Sequence, residues 1–133
     1  MTQKTILIVE DEKDIREALR DALTDADYSV LEAKNGTEGV SIALEKHPDL
    51  ILLDLLMPEM DGMTALKHIR MDAWGKDVPV MILTNVNASK EQIIEDMVMG
   101  KPLEYLIKSD WKIYDVIEKI EKVLQTQGTS NKN

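Results

Sequence analysis

Cysteine is absent from the 133 residues, which excludes disulfides, thiolate metal sites and a cysteine nucleophile. No apolar run approaches the ~20 residues that a membrane-spanning helix needs, so no membrane role is expected. The N-terminus meets Glu10-Asp11-Glu12 too early to be a signal peptide, and the expected compartment is the cytoplasm. Basic residues are few: 16 Lys and Arg stand against 25 Asp and Glu, a net charge of −9. That balance argues against nucleic acid or an anionic membrane as a direct partner, because both need a cationic face. The two histidines, His47 and His68, fall on helical stretches away from strand ends, which leaves neither a phosphotransfer nor a metal role. What the chain does have is 44% hydrophobic residues, enough for one domain with a real core.

Short apolar runs alternate with helix-period segments. Ile6-Leu7-Ile8-Val9, Tyr28-Ser29-Val30-Leu31, Leu50-Ile51-Leu52-Leu53, Val78 through Leu83, and Tyr105-Leu106-Ile107 read as strands. Between and after them, Ile15 to Leu23, Val40 to Leu44, Met63 to Arg70, a segment opened by Ser89-Lys90-Glu91-Gln92, and Ile113 to Leu124 read as helices. Ser89 and Gln92 have the spacing of a capping box. Five strand-then-helix units predict an α/β fold, a parallel sheet covered on both faces. The domain is expected over 1–125, with 126–133 a disordered tail or the start of a linker.

The informative pattern is where the acids fall. Glu10 and Asp11 end the first strand and Asp54 ends the third. In open α/β sheets ligands bind beyond the carboxyl ends of strands, where the strand order reverses. If the first and third strands are neighbours, the three carboxylates converge there. Crowded carboxylates need a shared proton or a cation, and an all-oxygen set suits a hard ion such as Mg²⁺. Helix capping is the alternative explanation for Glu10 and Asp11. It serves poorly for Asp54, which is followed by Leu55-Leu56-Met57-Pro58 rather than a helix. Thr84 ends the fourth strand and Lys108 the fifth; a hydroxyl and an ammonium beside a metal and a carboxylate suit a phosphoryl group.

Val9-Glu10-Asp11-Glu12, Asp54 after Leu50-Ile51-Leu52-Leu53, Met57-Pro58 with Asp61-Gly62, Thr84, and Tyr105-Leu106-Ile107-Lys108 together resemble the receiver domain of two-component response regulators, of the chemotaxis-regulator kind. The match runs from about Lys4 to Leu124. The resemblance implies a five-stranded parallel sheet in the order 2-1-3-4-5, flavodoxin-like, with five helices on its two faces. It implies that Asp54 is the phosphoacceptor. Mg²⁺ would be held by Glu10, Asp11, Asp54 and the backbone carbonyl of Leu56. Thr84 and Lys108 would contact the phosphoryl group, with Thr84 and Tyr105 as the switch pair. The implied partners are a sensor histidine kinase or phosphotransfer protein, and a downstream protein on the face built from helix 4, strand 5 and helix 5. No independent substrate turnover is implied.

The chain departs from that family in places. Lys108 is followed by Ser109 where most receivers have a cis-bonded Pro; a non-proline cis bond costs ~2.5–4 kcal/mol, so the bond is either cis and strained or trans with a re-aimed loop. Asn85 follows Thr84 in place of a small residue, and Gly100-Lys101-Pro102-Leu103 precedes the fifth strand. Leu56 and Val86 flank the expected phosphate with no polar group to guide water, so the phosphoryl group is expected to be comparatively long-lived. Methionines 57, 60 and 63 near the site loop are read as core filling ahead of an adaptable binding surface. A haloacid-dehalogenase-type phosphatase would need a second acid two residues after Asp54, where Leu56 stands. A flavodoxin-like nucleotide or flavin binder would need a Gly-rich loop where Glu10-Asp11-Glu12 stands. A degenerate receiver, acting as a phosphorylation-independent interaction module, stays open as the alternative.

Overall fold

The computed structural model describes residues 3–57, 59–85 and 89–130. Its strands are β1 (Thr5–Val9), β2 (Ser29–Ala33), β3 (Leu50–Leu53), β4 (Val80–Thr84) and β5 (Glu104–Ile107). Its helices are α1 (Lys13–Asp25), α2 (Gly36–Lys46), α3 (Gly62–Arg70), α4 (Lys90–Gly100) and α5 (Ile113–Ser130). The strands form one parallel sheet in the order β2-β1-β3-β4-β5, the α/β arrangement that the sequence predicts. None of the helices described is long and apolar enough to cross a membrane.

The apolar strand runs bury both faces of the sheet. Ile6, Ile8, Leu50, Leu52, Met81 and Leu83 point to one side, where Leu19 and Leu23 of α1 and Val116 and Ile120 of α5 cover them. The residues between them, Leu7, Val9, Ile51, Leu53, Val80 and Ile82, point to the other, against Ala43 of α2 and Leu66 and Ile69 of α3. This two-residue alternation within uniformly apolar strands separates a central parallel strand from an amphipathic one.

Several element boundaries differ from the sequence reading. β2 begins at Ser29 and continues to Ala33, because its ladder with β1 extends to the Val9–Ala33 pair. β4 begins at Val80, two residues after the expected Val78, and ends at Thr84 as the sequence reading has it. The helix α5 runs on to Ser130, five residues past the expected domain end at 125. Proline, which would remove a hydrogen bond from the helical ladder, is absent from 125–130. The last three tail residues, 131–133, lie outside the described residues.

The loops that carry the site are fixed by short caps. Asn35 Oδ1 accepts from the Glu38 N–H (2.8 Å) at the start of α2 and Asp61 Oδ1 from the Thr64 N–H (2.9 Å) at the start of α3. Ser89 Oγ accepts from the Gln92 N–H (3.1 Å) at α4. Gly62 follows the Asp61 cap and lies directly against the backbone of the site: a Cβ there would collide with the Asp54 carbonyl oxygen and come within 2.8 Å of Leu55 Cα. Backbone cannot yield as a flexible side chain can. We expect Gly62→Ala to destabilise the fold by about 1–3 kcal/mol, read from its denaturant midpoint, and a stability equal to wild type would contradict this packing.

Candidate functional site

Parallel pairing puts every strand's carboxyl end at one edge of the sheet, and the order reverses between β1 and β3. Those two strands stay bonded one step beyond the ladder, through the Asp54 N–H to the Val9 carbonyl (3.0 Å). Glu10 and Asp54 are therefore neighbours. A carboxylate oxygen from each of Glu10, Asp11 and Asp54 lies within 4.8 Å of the others. Glu10 is 2% exposed and Asp54 4%; Asp11 is half-buried.

Each acid has a local anchor. Glu10 Oε2 accepts from the Glu12 N–H (3.1 Å) at the start of α1, and Asp54 Oδ1 from the Leu56 N–H (3.2 Å). Arg16 donates to the Glu10 carbonyl oxygen (3.0 Å) and pairs with Glu32 (3.4 Å), so it holds the backbone of the acid without neutralising its side chain. Neutralisation comes from Lys108, whose Nζ lies 2.5 Å from Glu10 Oε1 and 3.4 Å from Asp54 Oδ2. Burial works against the Lys108 charge, yet the Glu10 hydrogen bond and the nearby carboxylates raise its pKa above the ordinary value.

One ammonium does not balance the group. Burial pushes the Glu10 carboxyl up from 4.5 to about 7; the hydrogen bond from Lys108 opposes that, and the Asp54 charge adds to it. Three hard oxygen donors, short of positive charge and free of sulfur or imidazole, fit a divalent cation of the magnesium or calcium kind.

The other expected residues fall into two groups. Lys108 joins the acids. Among the described residues no peptide bond is cis, so Lys108–Ser109 is trans; Lys108 instead opens a single 3₁₀ turn, Lys108–Asp110, and its long stem still brings the amine to Glu10. Thr84 is fully buried at the end of β4, and Leu56 is 59% exposed in the loop after Asp54. Tyr105 is half-buried on β5 and packs against the α2–α3 side of the core. Its hydroxyl donates to Asp96 Oδ2 (3.4 Å), away from the acids, and burial followed by the Asp96 charge raises its pKa to about 12. Pro58 and Val86 lie outside the described residues. Of the rejected histidines, His47 stacks on Trp74 with ring centroids 4.4 Å apart.

Arg16 and Asp96 are absent from the sequence-derived site, and Gly62 enters the sequence reading only within the Asp61-Gly62 motif, with no role assigned. The four-residue spacing of Gln92 and Asp96 is readable on a helix, and their side chains do bond (3.0 Å). The contact between Asp96 and Tyr105 crosses from α4 to β5 and leaves no such signal.

Comparison with known proteins bears on this site. The family model for the response regulator receiver domain matches residues 6–121. The phosphate regulon transcriptional regulatory protein PhoB of Pseudomonas aeruginosa is 32% identical over 128 residues, covering 96% of this chain and 55% of its own length. A protein-glutamate methylesterase/protein-glutamine glutaminase of Archaeoglobus fulgidus is 36% identical over 131 residues, covering 94% of this chain and 36% of its own. The chain thus spans about half, or less, of the length of these curated relatives. A CheY-like receiver domain protein from Methanospirillum hungatei superposes with a TM-score of 0.86 at 25% identity, over 97% of this chain and 99% of that one. The response regulator TrrA of Thermotoga maritima, in complex with Mg²⁺-BeF, does so with a TM-score of 0.77 at 30% identity, over 90% and 98%.

In the metal-free fold Glu10 keeps its proton up to about pH 7, whereas its ordinary value is 4.5. The folded state therefore binds the extra proton between those values, and stability falls as pH rises through that window. With a chelator present we expect a loss on the order of 2 kcal/mol between pH 4.5 and 8, followed by urea denaturation. Added Mg²⁺ should recover most of it at pH 8, and Asp54→Asn should shrink it by removing the neighbouring charge. Identical profiles with chelator and with Mg²⁺ would contradict the crowded-carboxylate account.

Proposed function

The chain belongs to the response regulator receiver domain family, and from that premise we propose that it is a phosphorylation-driven switch with Asp54 as the phosphoacceptor. The observation that carries this reading is the convergence of Glu10, Asp11, Asp54 and Lys108 at the reversal point of the sheet. An Asp54 oxygen attacks the phosphorus of a phosphohistidine on a sensor histidine kinase or phosphotransfer protein. The P–N bond breaks, the imidazole leaves, and an acyl phosphate forms. Mg²⁺, held by Glu10, Asp11, Asp54 and the Leu56 backbone carbonyl, would supply the positive charge that offsets the transferring phosphoryl oxygens.

The chain's own residues do the rest. Lys108, already paired with Glu10 and Asp54, turns toward a phosphoryl oxygen as charge on Asp54 is converted to phosphate. Thr84, at the end of the neighbouring strand, offers its hydroxyl to another. The phosphoryl group then biases a two-state equilibrium through Thr84 and Tyr105. The readout is the face of α4, β5 and α5, where Ile94 and Val98 of α4 are exposed and a downstream protein would dock. The net charge of −9 favours a protein over nucleic acid as this domain's own partner, and a cytoplasmic setting follows from the kinase partnership. Beyond making and losing its own phosphoryl group, the chain turns over no separate substrate.

Incubation with Mg²⁺ and acetyl phosphate should add one phosphoryl mass to the intact protein. Asp54→Asn should take up none while keeping its fold; an adduct that survives this substitution would reject the acceptor assignment. The exposed, apolar Leu56 gives water no hydrogen-bonding guide toward phosphorus, which supports a long-lived adduct. Leu56→Gln should shorten its half-life several-fold, followed by phosphate release, and an unchanged half-life would remove Leu56 from that account.

A further inference from the structure

Four polar side chains are buried among the described residues: Glu10, Asp54, Thr84 and Asp96. The first three belong to the acceptor site. Asp96 does not. It sits in the middle of α4 and is 7% exposed, while Ile94, Val98 and Met99 of the same helix face solvent. A helix that buries an acid and exposes its aliphatic residues is not arranged by apolar burial alone. A carboxylate out of water must be held by hydrogen bonds, and the bonds here identify what it does.

Asp96 Oδ1 accepts from Gln92 Nε2 (3.0 Å) and Oδ2 from the Tyr105 hydroxyl (3.4 Å). Among the described residues no cation pairs with it. Gln92 would complete a capping box by reaching back to Ser89, but its side chain reaches forward to Asp96 instead, while its backbone N–H donates to Ser89 Oγ (3.1 Å). Bonds thus run from Ser89, five residues past Thr84, along the first turns of α4 to Tyr105. The other end of α4 is pinned by Arg70, which donates to the carbonyls of Gly100 (2.9 Å) and Lys101 (3.1 Å). Next to Tyr105 a cavity of about 430 Å³ opens between α3 and α4, lined by Leu55 and Leu56 on the acceptor side and by Asp96 and Tyr105 on the other. The ring has room to leave its place.

We propose that Asp96 is a positioning residue of the switch: by accepting the Tyr105 hydroxyl it holds the ring in its resting orientation, and activation has to break that bond. This rests on the receiver reading above. When the ring turns away, Asp96 stays buried with one donor fewer, a costlier loss than at an exposed site. A bond made only in the resting state weakens, by linkage, whatever binds the active state. The phenol remains a donor throughout the neutral range, since burial and Asp96 hold its proton to about pH 12.

The test compares wild type, Asp96→Ala, Asp96→Asn, Tyr105→Phe and the Asp96→Ala/Tyr105→Phe double variant. Fluoroberyllate binding is titrated with Mg²⁺ present, and the Tyr105 side-chain orientation is read by NMR without any analogue. We expect Asp96→Ala to shift the ring's rotamer population and to tighten fluoroberyllate binding by about fivefold or more. Tyr105→Phe, which removes the same bond with little disturbance of packing, should tighten it comparably, and the double variant no further. Asp96→Asn, which retains an acceptor oxygen, should restore the resting orientation. An unmoved ring in Asp96→Ala, or single effects that add in the double variant, would overturn the latch. Should wild type take up no fluoroberyllate, the acceptor reading fails, and the ring orientation alone then decides for or against the latch.

Discussion

Glu10 and Asp54 are both almost fully buried and share one ammonium, that of Lys108. Two carboxylates against one cation in a region of low polarity is an unstable arrangement of charge, and it must resolve by a proton or a metal ion. The rise of Glu10 to about 7 is the first of these in progress. A divalent cation is the second. Phosphoryl transfer to Asp54, as proposed, adds negative charge, so it needs that cation, with Lys108 beside it, all the more. The metal dependence proposed for this domain thus follows from a charge imbalance that the fold itself imposes.

The fold imposes it through the sheet. Parallel strands end together, and the reversal of order between β1 and β3 leaves a crevice with no crossover over it. The hydrogen bond from Asp54 to the Val9 carbonyl and the bond from Arg16 to the Glu10 carbonyl fix the two backbones. The tight approach of Gly62 to the Asp54 carbonyl fixes the loop from the α3 side. None of these contacts neutralises charge. They hold the acids close and leave the electrostatic question to whatever binds.

The layout was readable in the chain because each strand announces itself twice, by an apolar run and by the residue that stops it. Asp54 after Leu50–Leu53 and Lys108 after Tyr105–Ile107 are examples. Strand order was not readable from spacing: the adjacency of β1 and β3 came from the family resemblance, since nothing local encodes which strands pair across a crossover. Boundaries slipped where ladder pairing outran hydropathy, as at Ala33 in β2. The sequence also left open how Lys108 would be aimed without a following proline. Asp96 stayed invisible for a different reason. On paper it is one more acid in an acidic helix, and only the fold of α4 over β5 turns it into a buried partner for Tyr105.

The replacement of proline by Ser109 shows how such a site absorbs a local change. A cis proline would aim the Lys108 backbone; here the bond is trans, and Lys108 begins a 3₁₀ turn. Lysine has four methylenes between backbone and charge, and its ammonium accepts partners from any direction, unlike the planar fork of arginine. The stem can make up for a shifted Cα, and the pull of two carboxylates outweighs the entropy of ordering it. In this domain the position of the amine is therefore set by the acids it serves, with the 3₁₀ turn only delivering the residue within reach.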